Sequence, residues 1–219
     1  MKNLLFILFC FSGTASAQYA VQPYGDVQGT PLKEVRYTEV SGSAYFFDNW
    51  SKGKIITKSG KMYQVDSLKY DLIDDQLVFL GDKGIQMHFA EPVTKFEIEN
   101  GLGEKSYFVN GLPSAEGLNS NSYLEVIYDG KVALYKRTSK VVVEDKPYGS
   151  ATVNKSFKLN NSYYTFQDGT LKKISLSSKT VLTLFESKKT EITDYLKNTK
   201  VNFKNDQDLK NLFIYFNKL

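Results

Sequence analysis

From Ser43 onward the chain reads as short apolar stretches separated by small polar pairs. Stretches of four to seven residues bounded by turn formers are the mark of strands, because side chains alternate between two faces and the chain must reverse often. The pattern predicts strands at Ala44–Phe47, Lys54–Lys58, Lys61–Val65, Leu68–Ile73, Gln76–Leu80, Ile85–Ala90, Thr94–Glu99, Lys105–Val109 and Ser122–Tyr128. It continues through Lys131–Arg137, Val141–Glu144, Lys155–Leu159, Ser162–Gln167 and Thr170–Ser175. Between them stand Ser59-Gly60, Asp74-Asp75, Asp82-Lys83-Gly84, Asn100-Gly101, Asn110-Gly111, Asp129-Gly130 and Asp168-Gly169. Asp-Gly and Asn-Gly pairs suit type I′ hairpin turns, whose two central residues both need positive φ. No strand–helix–strand alternation occurs, so a parallel nucleotide-binding sheet is not expected. The expected architecture is an antiparallel meander forming a barrel or a sandwich.

After Ser175 the period changes. Val181, Leu182 and Phe185, then Ile192, Tyr195 and Leu196, recur at helical spacing, as one helix or as two broken near Ser187–Lys189. Asn205 or Asp206 caps a last helix with an apolar face of Leu209, Leu212, Phe213 and Phe216. A helix with one apolar stripe has to dock, so these helices are expected to pack on the sheet or on each other. The fold class is therefore mainly β, of the α+β kind, with amphipathic C-terminal helices packed on it.

The first residues change the picture of address. Lys2, the apolar run Leu4–Phe11 and the small residues Ala15-Ser16-Ala17 make the three-part pattern of a secretory signal, cut between Ala17 and Gln18. The run is too short for a membrane span of roughly 20 residues. Cys10, the only cysteine, lies inside the run between large residues and leaves with the signal, so neither a lipid anchor nor a disulfide is expected. The expected organisation is a signal at 1–17, an extended lead-in at 18–42 rich in Pro and Gly, a β domain at 43–175 and a helical segment at 176–219. No transmembrane span is expected in the mature chain. The protein is expected in the periplasm, at the outer membrane or outside the cell.

Charge divides along the same line. Residues 171–219 carry ten lysines against five acids, whereas residues 18–170 carry seventeen basic residues against nineteen acids. Arginine occurs only at Arg36 and Arg137. The lysines of 172–204 are interspersed with acids and read as a solvated helix face. With the export signal, this argues against a nucleic-acid partner.

The stretch Gly42-Ser43-Ala44-Tyr45-Phe46, Trp50, Lys52-Gly53-Lys54-Ile55, Leu68-Lys69-Tyr70-Asp71 and Gln76-Leu77-Val78-Phe79 resembles a group of exported proteins of Bacteroidota of uncharacterised function. The lysine-rich segment ending in Leu212–Asn217 is similar as well. The resemblance implies an envelope location and transfers no activity and no functional residue.

Candidate chemistry is sparse. His88 is the single histidine, and with no cysteine left it cannot build a zinc site of the usual donors. No Gly-x-Ser-x-Gly elbow and no phosphate-binding Gly-Lys loop is present. No cofactor is expected. A carboxylate pair is the one catalytic device open to the chain, from Asp48, Asp71, Asp74, Asp75, Glu97 and Glu99. Asp74-Asp75 fits a turn, however, and Glu97 and Glu99 fit the solvated face of a strand. Calcium has no clear site, since Asn205–Asp208 reads as a helix cap. The aromatic set Tyr45, Phe46, Phe47, Trp50, Tyr63 and Tyr70 is either core or a ligand face, and Tyr45, Trp50 and Tyr70 are the candidate ligand contacts. The leading expectation is a non-enzymatic binding or structural module, with an envelope protein or glycan as partner. The alternatives are a carboxylate-dependent hydrolase of envelope glycans and a β-barrel carrier of an apolar ligand.

Overall fold

The computed structural model of the chain describes residues 21–22, 27–32, 37, 39–146, 148–149 and 153–219. The expected signal segment, with Ala15, Ala17 and Gln18, lies outside the described residues.

Twelve strands form one sheet among the described residues. They are β1 (Val21–Gln22), β2 (Gly29–Pro31), β3 (Ser51–Thr57), β4 (Met62–Asp71), β5 (Gln76–Leu80), β6 (Gln86–Phe89), β7 (Val93–Glu99), β8 (Lys105–Val109), β9 (Leu124–Tyr128), β10 (Ala133–Asp145), β11 (Asn154–Gln167) and β12 (Thr170–Ile174). Three helices follow, α1 (Ser178–Leu184), α2 (Lys189–Asn198) and α3 (Asp206–Asn217). The chain is thus mainly β and antiparallel, with its helices at the C-terminal end.

The sheet is two meanders joined back to back. β3–β4–β5–β6 runs outward in one direction and β7–β8–β9–β10–β11–β12 in the other, and β3 pairs with β7 between them. β2 adds to the edge of β6, and β1 pairs in parallel with the start of β4. Parts of the expected lead-in are therefore sheet. The path does not close into a barrel. Its curl does bring the middle of β10 back over β4, where Lys140 N–H donates to the Leu72 carbonyl at 3.0 Å.

Three pairs of expected strands are single long ones, each for a physical reason. Asp66-Ser67 is a bulge inside β4, since the β3–β4 register shifts between Ser51/Leu68 and Gly53/Val65. Gly53 permits it, because a Cβ there would lie 2.5 Å from the Glu97 carbonyl oxygen and 2.6 Å from Leu68. Thr138-Ser139-Lys140 and Asn160-Asn161 face each other as consecutive rungs of one β10–β11 ladder. They are polar where β10 crosses the first meander: Thr138 is buried there, and Lys140 Nζ donates to the Ser43 and Tyr45 carbonyls at 2.8 and 2.7 Å.

Three cores follow from the alternation of faces. The largest is aromatic and lies under β3, β4, β5, β7 and β8, with Ile55, Val65, Leu68, Tyr70, Phe79, Phe96, Ile98 and Phe108 at most 3 % exposed. Phe96 and Phe108 stack at 4.5 Å, and Tyr70 meets both edge-on. Further along, Leu134 of β10 faces one way, onto Val181, Phe185, Ile192, Leu209, Leu212 and Phe213 of the helices. Its neighbours Ala133 and Tyr135 face the other way, onto Tyr164, Leu171 and a cover from Leu112, Ala115 and Leu118. The helices thus dock on the sheet as their apolar stripes require. A short 3-10 turn at Glu186–Lys188 separates α1 from α2, and the Asn205 side chain caps α3 by accepting from Asp208 N–H at 3.0 Å.

Candidate functional site

A groove of about 530 Å³ lies beside the aromatic core. Four segments build it. The β4–β5 turn brings Asp74, Asp75 and Gln76, with Asp75 in the left-handed region at φ 60°. The end of β6 and its link to β7 bring His88, Phe89, Glu91, Pro92 and Val93. Asn110 stands just past β8, and Asn119, Asn121 and Tyr123 come from the loop before β9.

The walls are fixed from behind. Asn110 Nδ2 and the Tyr123 hydroxyl both donate to the Val93 carbonyl, at 3.0 and 2.7 Å. His88 Nδ1 lies 3.2 Å from the Leu77 carbonyl oxygen and donates to it, which fixes the ring against β5. Asn119 Oδ1 accepts from Asn121 N–H at 2.8 Å, so its amide nitrogen remains as a donor. Gln76 and Asn121 side chains make no hydrogen bond among the described residues. The lining thus offers amide donors and acceptors over an apolar floor of Leu77, Phe89 and Val93.

The acids of the groove are tied down. The Tyr70 hydroxyl donates to Asp75 Oδ1 at 2.5 Å, and Tyr123 N–H approaches the same oxygen at 3.4 Å. Arg137 reaches across from β10, with Nη2 2.9 Å from Asp75 Oδ2 and Nη1 donating to the Tyr70 hydroxyl at 3.0 Å. The Nη2 contact is an ion pair without a directed hydrogen bond to Oδ2. Both charged side chains are 13 % exposed. Burial pushes the Asp75 carboxyl above its ordinary range, against the pull of Arg137. Burial, with the Asp75 charge, also holds the Tyr70 phenol well above its own. Glu91 accepts from Ser59 N–H at 2.6 Å, and its hydrogen bonds from Ser59 hold it below the usual carboxylate value. A hydrolytic acid must reach substrate with its proton. Asp75, the acid raised in this groove, has both oxygens engaged by Tyr70, Tyr123 and Arg137.

The sequence candidates Tyr45, Trp50 and Tyr70 do not share a face. Lys69 Nζ sits 4.5 Å from the Tyr45 ring centroid and 5.0 Å from that of Trp50, on the outer side of β4. Tyr70, the next residue, points inward and is fully buried. Tyr63 is also core, and Phe46 and Phe47 pack against it. Asp71 is buried and caps the turn by accepting from Ile73 N–H at 2.8 Å. Glu97 pairs with Lys105 at 2.7 Å. Among the described residues no group of three His, Cys, Asp or Glu could hold a metal ion, and no helix is long and apolar enough to cross a membrane. Sequence reading missed Arg137 and the three asparagines. Arg137 carried a signal, as one of only two arginines in a lysine-rich chain. The asparagines lie in loops and carried none. Comparison with family models, with curated proteins and with solved structures finds no match.

Proposed function

We propose that the protein is an exported, non-enzymatic binding module that takes a neutral, hydroxyl-rich glycan of the cell envelope in the groove between the β4–β5 turn and the loop before β9. The observation that carries this reading is the lining: Gln76, Asn119 and Asn121 present side-chain amides over an apolar floor. An amide both donates and accepts, as a sugar hydroxyl does, and the apolar floor suits the C–H face of a pyranose. With Asp75 offset by Arg137, Asp74 and Glu91 make the lining acidic, which disfavours anionic glycans. Binding rather than turnover is supported by the engagement of Asp75 and Glu91 in internal contacts. The carrier alternative needs a closed barrel, and the sheet is open. The export signal and the resemblance to exported Bacteroidota proteins support the envelope address.

Calorimetry of the chain from Gln18 with neutral chito- and cello-oligosaccharides tests the reading. Asn121→Ala and Gln76→Ala should each weaken binding by about fivefold, the worth of roughly one hydrogen bond. Tyr45→Ala and Trp50→Ala should leave it unchanged. The opposite pattern, or no binding to any member of the series, overturns the proposal. Amino-terminal sequencing of the protein from an envelope fraction should begin at Gln18; full-length protein in the cytosol refutes export.

A further inference from the structure

β10 and β11 remain paired from Arg137↔Ser162 out to Asp145↔Asn154, beyond the last rung that β10 shares with β9 at Lys136↔Glu125. The base of this outer ribbon, an arm of the sheet, is held by Tyr37 and residues 41–45: Ser41 bridges to Ser156, Tyr37 packs edge-on against Phe157, and Lys140 Nζ donates to the Ser43 and Tyr45 carbonyls. Nine large apolar side chains are exposed among the described residues, and five of them fall on or at the end of this arm: Val141, Val142, Tyr148, Val153 and Leu159. Tyr148 is entirely solvent-accessible. Clustering of this kind marks an interaction surface, because scattered exposed apolar residues need no explanation but contiguous ones do.

The register says what kind of surface. Val142 and Leu159 share one face, since Leu159 opposes Lys140, while Val141 opposes Lys158 on the other. A protein groove would cover one face of such a ribbon and leave the second wet. An apolar medium without direction accepts both. Lysines exceed acids on the arm even with Lys140 taken up by the Ser43 and Tyr45 carbonyls: Lys146, Lys155 and Lys158 stand against Glu144 and Asp145. Lys155 lies 3.5 Å from Glu144 and offsets it. A tyrosine at the tip with lysines behind it is the order of groups that suits a membrane interface.

We propose that the β10–β11 arm docks the protein on an anionic lipid surface. Tyr148, Val141, Val142 and Leu159 enter the headgroup region, and Lys146 and Lys158 meet the lipid phosphates. Insertion is shallow, because the β10 edge beyond Lys140, which pairs with no further strand among the described residues, keeps the arm out of the hydrocarbon. The inference is independent of the glycan reading, since the arm contributes no residue to the groove.

Sedimentation of the chain from Gln18 with phosphatidylglycerol-containing vesicles, against pure phosphatidylcholine vesicles, tests it. The wild type should partition onto the anionic vesicles and release with added salt. The double variant Val142→Ser/Leu159→Ser should lose about tenfold in partitioning, as should Tyr148→Ser. Lys146→Glu/Lys158→Glu should lose binding to the anionic vesicles. All these positions are exposed, so thermal unfolding should be unchanged. The proposal is overturned if the wild type is not retained, or if neutral vesicles retain it equally well. It is also overturned if the substitutions do not alter retention, or if light scattering shows a dimer that they dissolve while retention persists.

Discussion

The Arg137–Asp75 pair is the residue-scale feature with the largest consequence. Two opposite charges at 13 % exposure have given up most of their water, and each is tolerated only because the other is there. Arg137→Met leaves Asp75 as an uncompensated buried carboxylate and should cost about 3 kcal/mol in chemical denaturation. The double variant Arg137→Met/Asp75→Leu should recover much of that loss, because an apolar pair needs no solvation. Asp75 also sets a pH dependence. Its folded-state affinity for a proton is raised, chiefly by burial. Its contribution to stability is therefore fully present below the ordinary carboxylate value and is lost as pH rises through the folded value. Compared with Asp75→Asn, the wild type should gain relative unfolding free energy as pH falls from about 7 to about 4; a flat difference would refute the assignment. Nothing local in the sequence pairs residues 75 and 137. Asp74-Asp75 was legible as a turn, and it is one, but the turn also aims the second carboxylate inward. Trp50 and Tyr45 were legible as aromatic and unplaced, whereas the inward direction of Tyr70 follows from the alternation along β4 only once the bulge at Asp66-Ser67 fixes the register.

At the scale of elements, α3 is bolted to the sheet at both ends. At its start Lys136 Nζ and the Tyr163 hydroxyl donate to Asp206, at 2.6 and 2.9 Å. At its end Asn217 closes on the β9–β10 turn: its Oδ1 accepts from Val132 N–H at 3.0 Å, and its Nδ2 donates to the Val132 carbonyl at 3.1 Å. Val132 is buried, so its backbone groups have no water to fall back on. Asn217→Ala should therefore cost about 1–3 kcal/mol, read as a lower midpoint of thermal or urea unfolding. Asn217→Asp should be nearly as costly, because one of the two bonds needs the amide N–H. Helix position, cap and apolar face were all legible here, since Leu209, Leu212 and Phe213 obey the 3.6 period and Asn205 is a strong capping residue. The breaks expected within β4, β10 and β11 were legible only as polar pairs. A bulge and an exposed ribbon place the same residue types on the chain as a turn does.

The whole molecule divides into two meanders that meet at the β3–β7 pairing and again where the curl brings β10 over β4. The first meander is buried around one aromatic core, whereas the arm past Lys140 is flanked only by the Ser41 bridge on its β11 edge among the described residues. Hydrogen exchange should therefore be slowest in β3, β4 and β7 and markedly faster at Val141–Glu144, although both belong to one continuous sheet. Equal protection of the two would mean that the arm is covered in solution. Strand number and order were beyond reach of the sequence, because a meander and a sandwich use the same hairpins and differ only in which distant edges meet. The crossing at β10 has a consequence for descent. Asp75 belongs to the first meander and Arg137 to the second, and either charge without the other is a liability. The two halves cannot drift or recombine independently at this point. Divergent relatives should keep both charges or have replaced both, and a chimera joining meanders from a charged and an uncharged lineage should be less stable than either parent, even though each half is sound in its own.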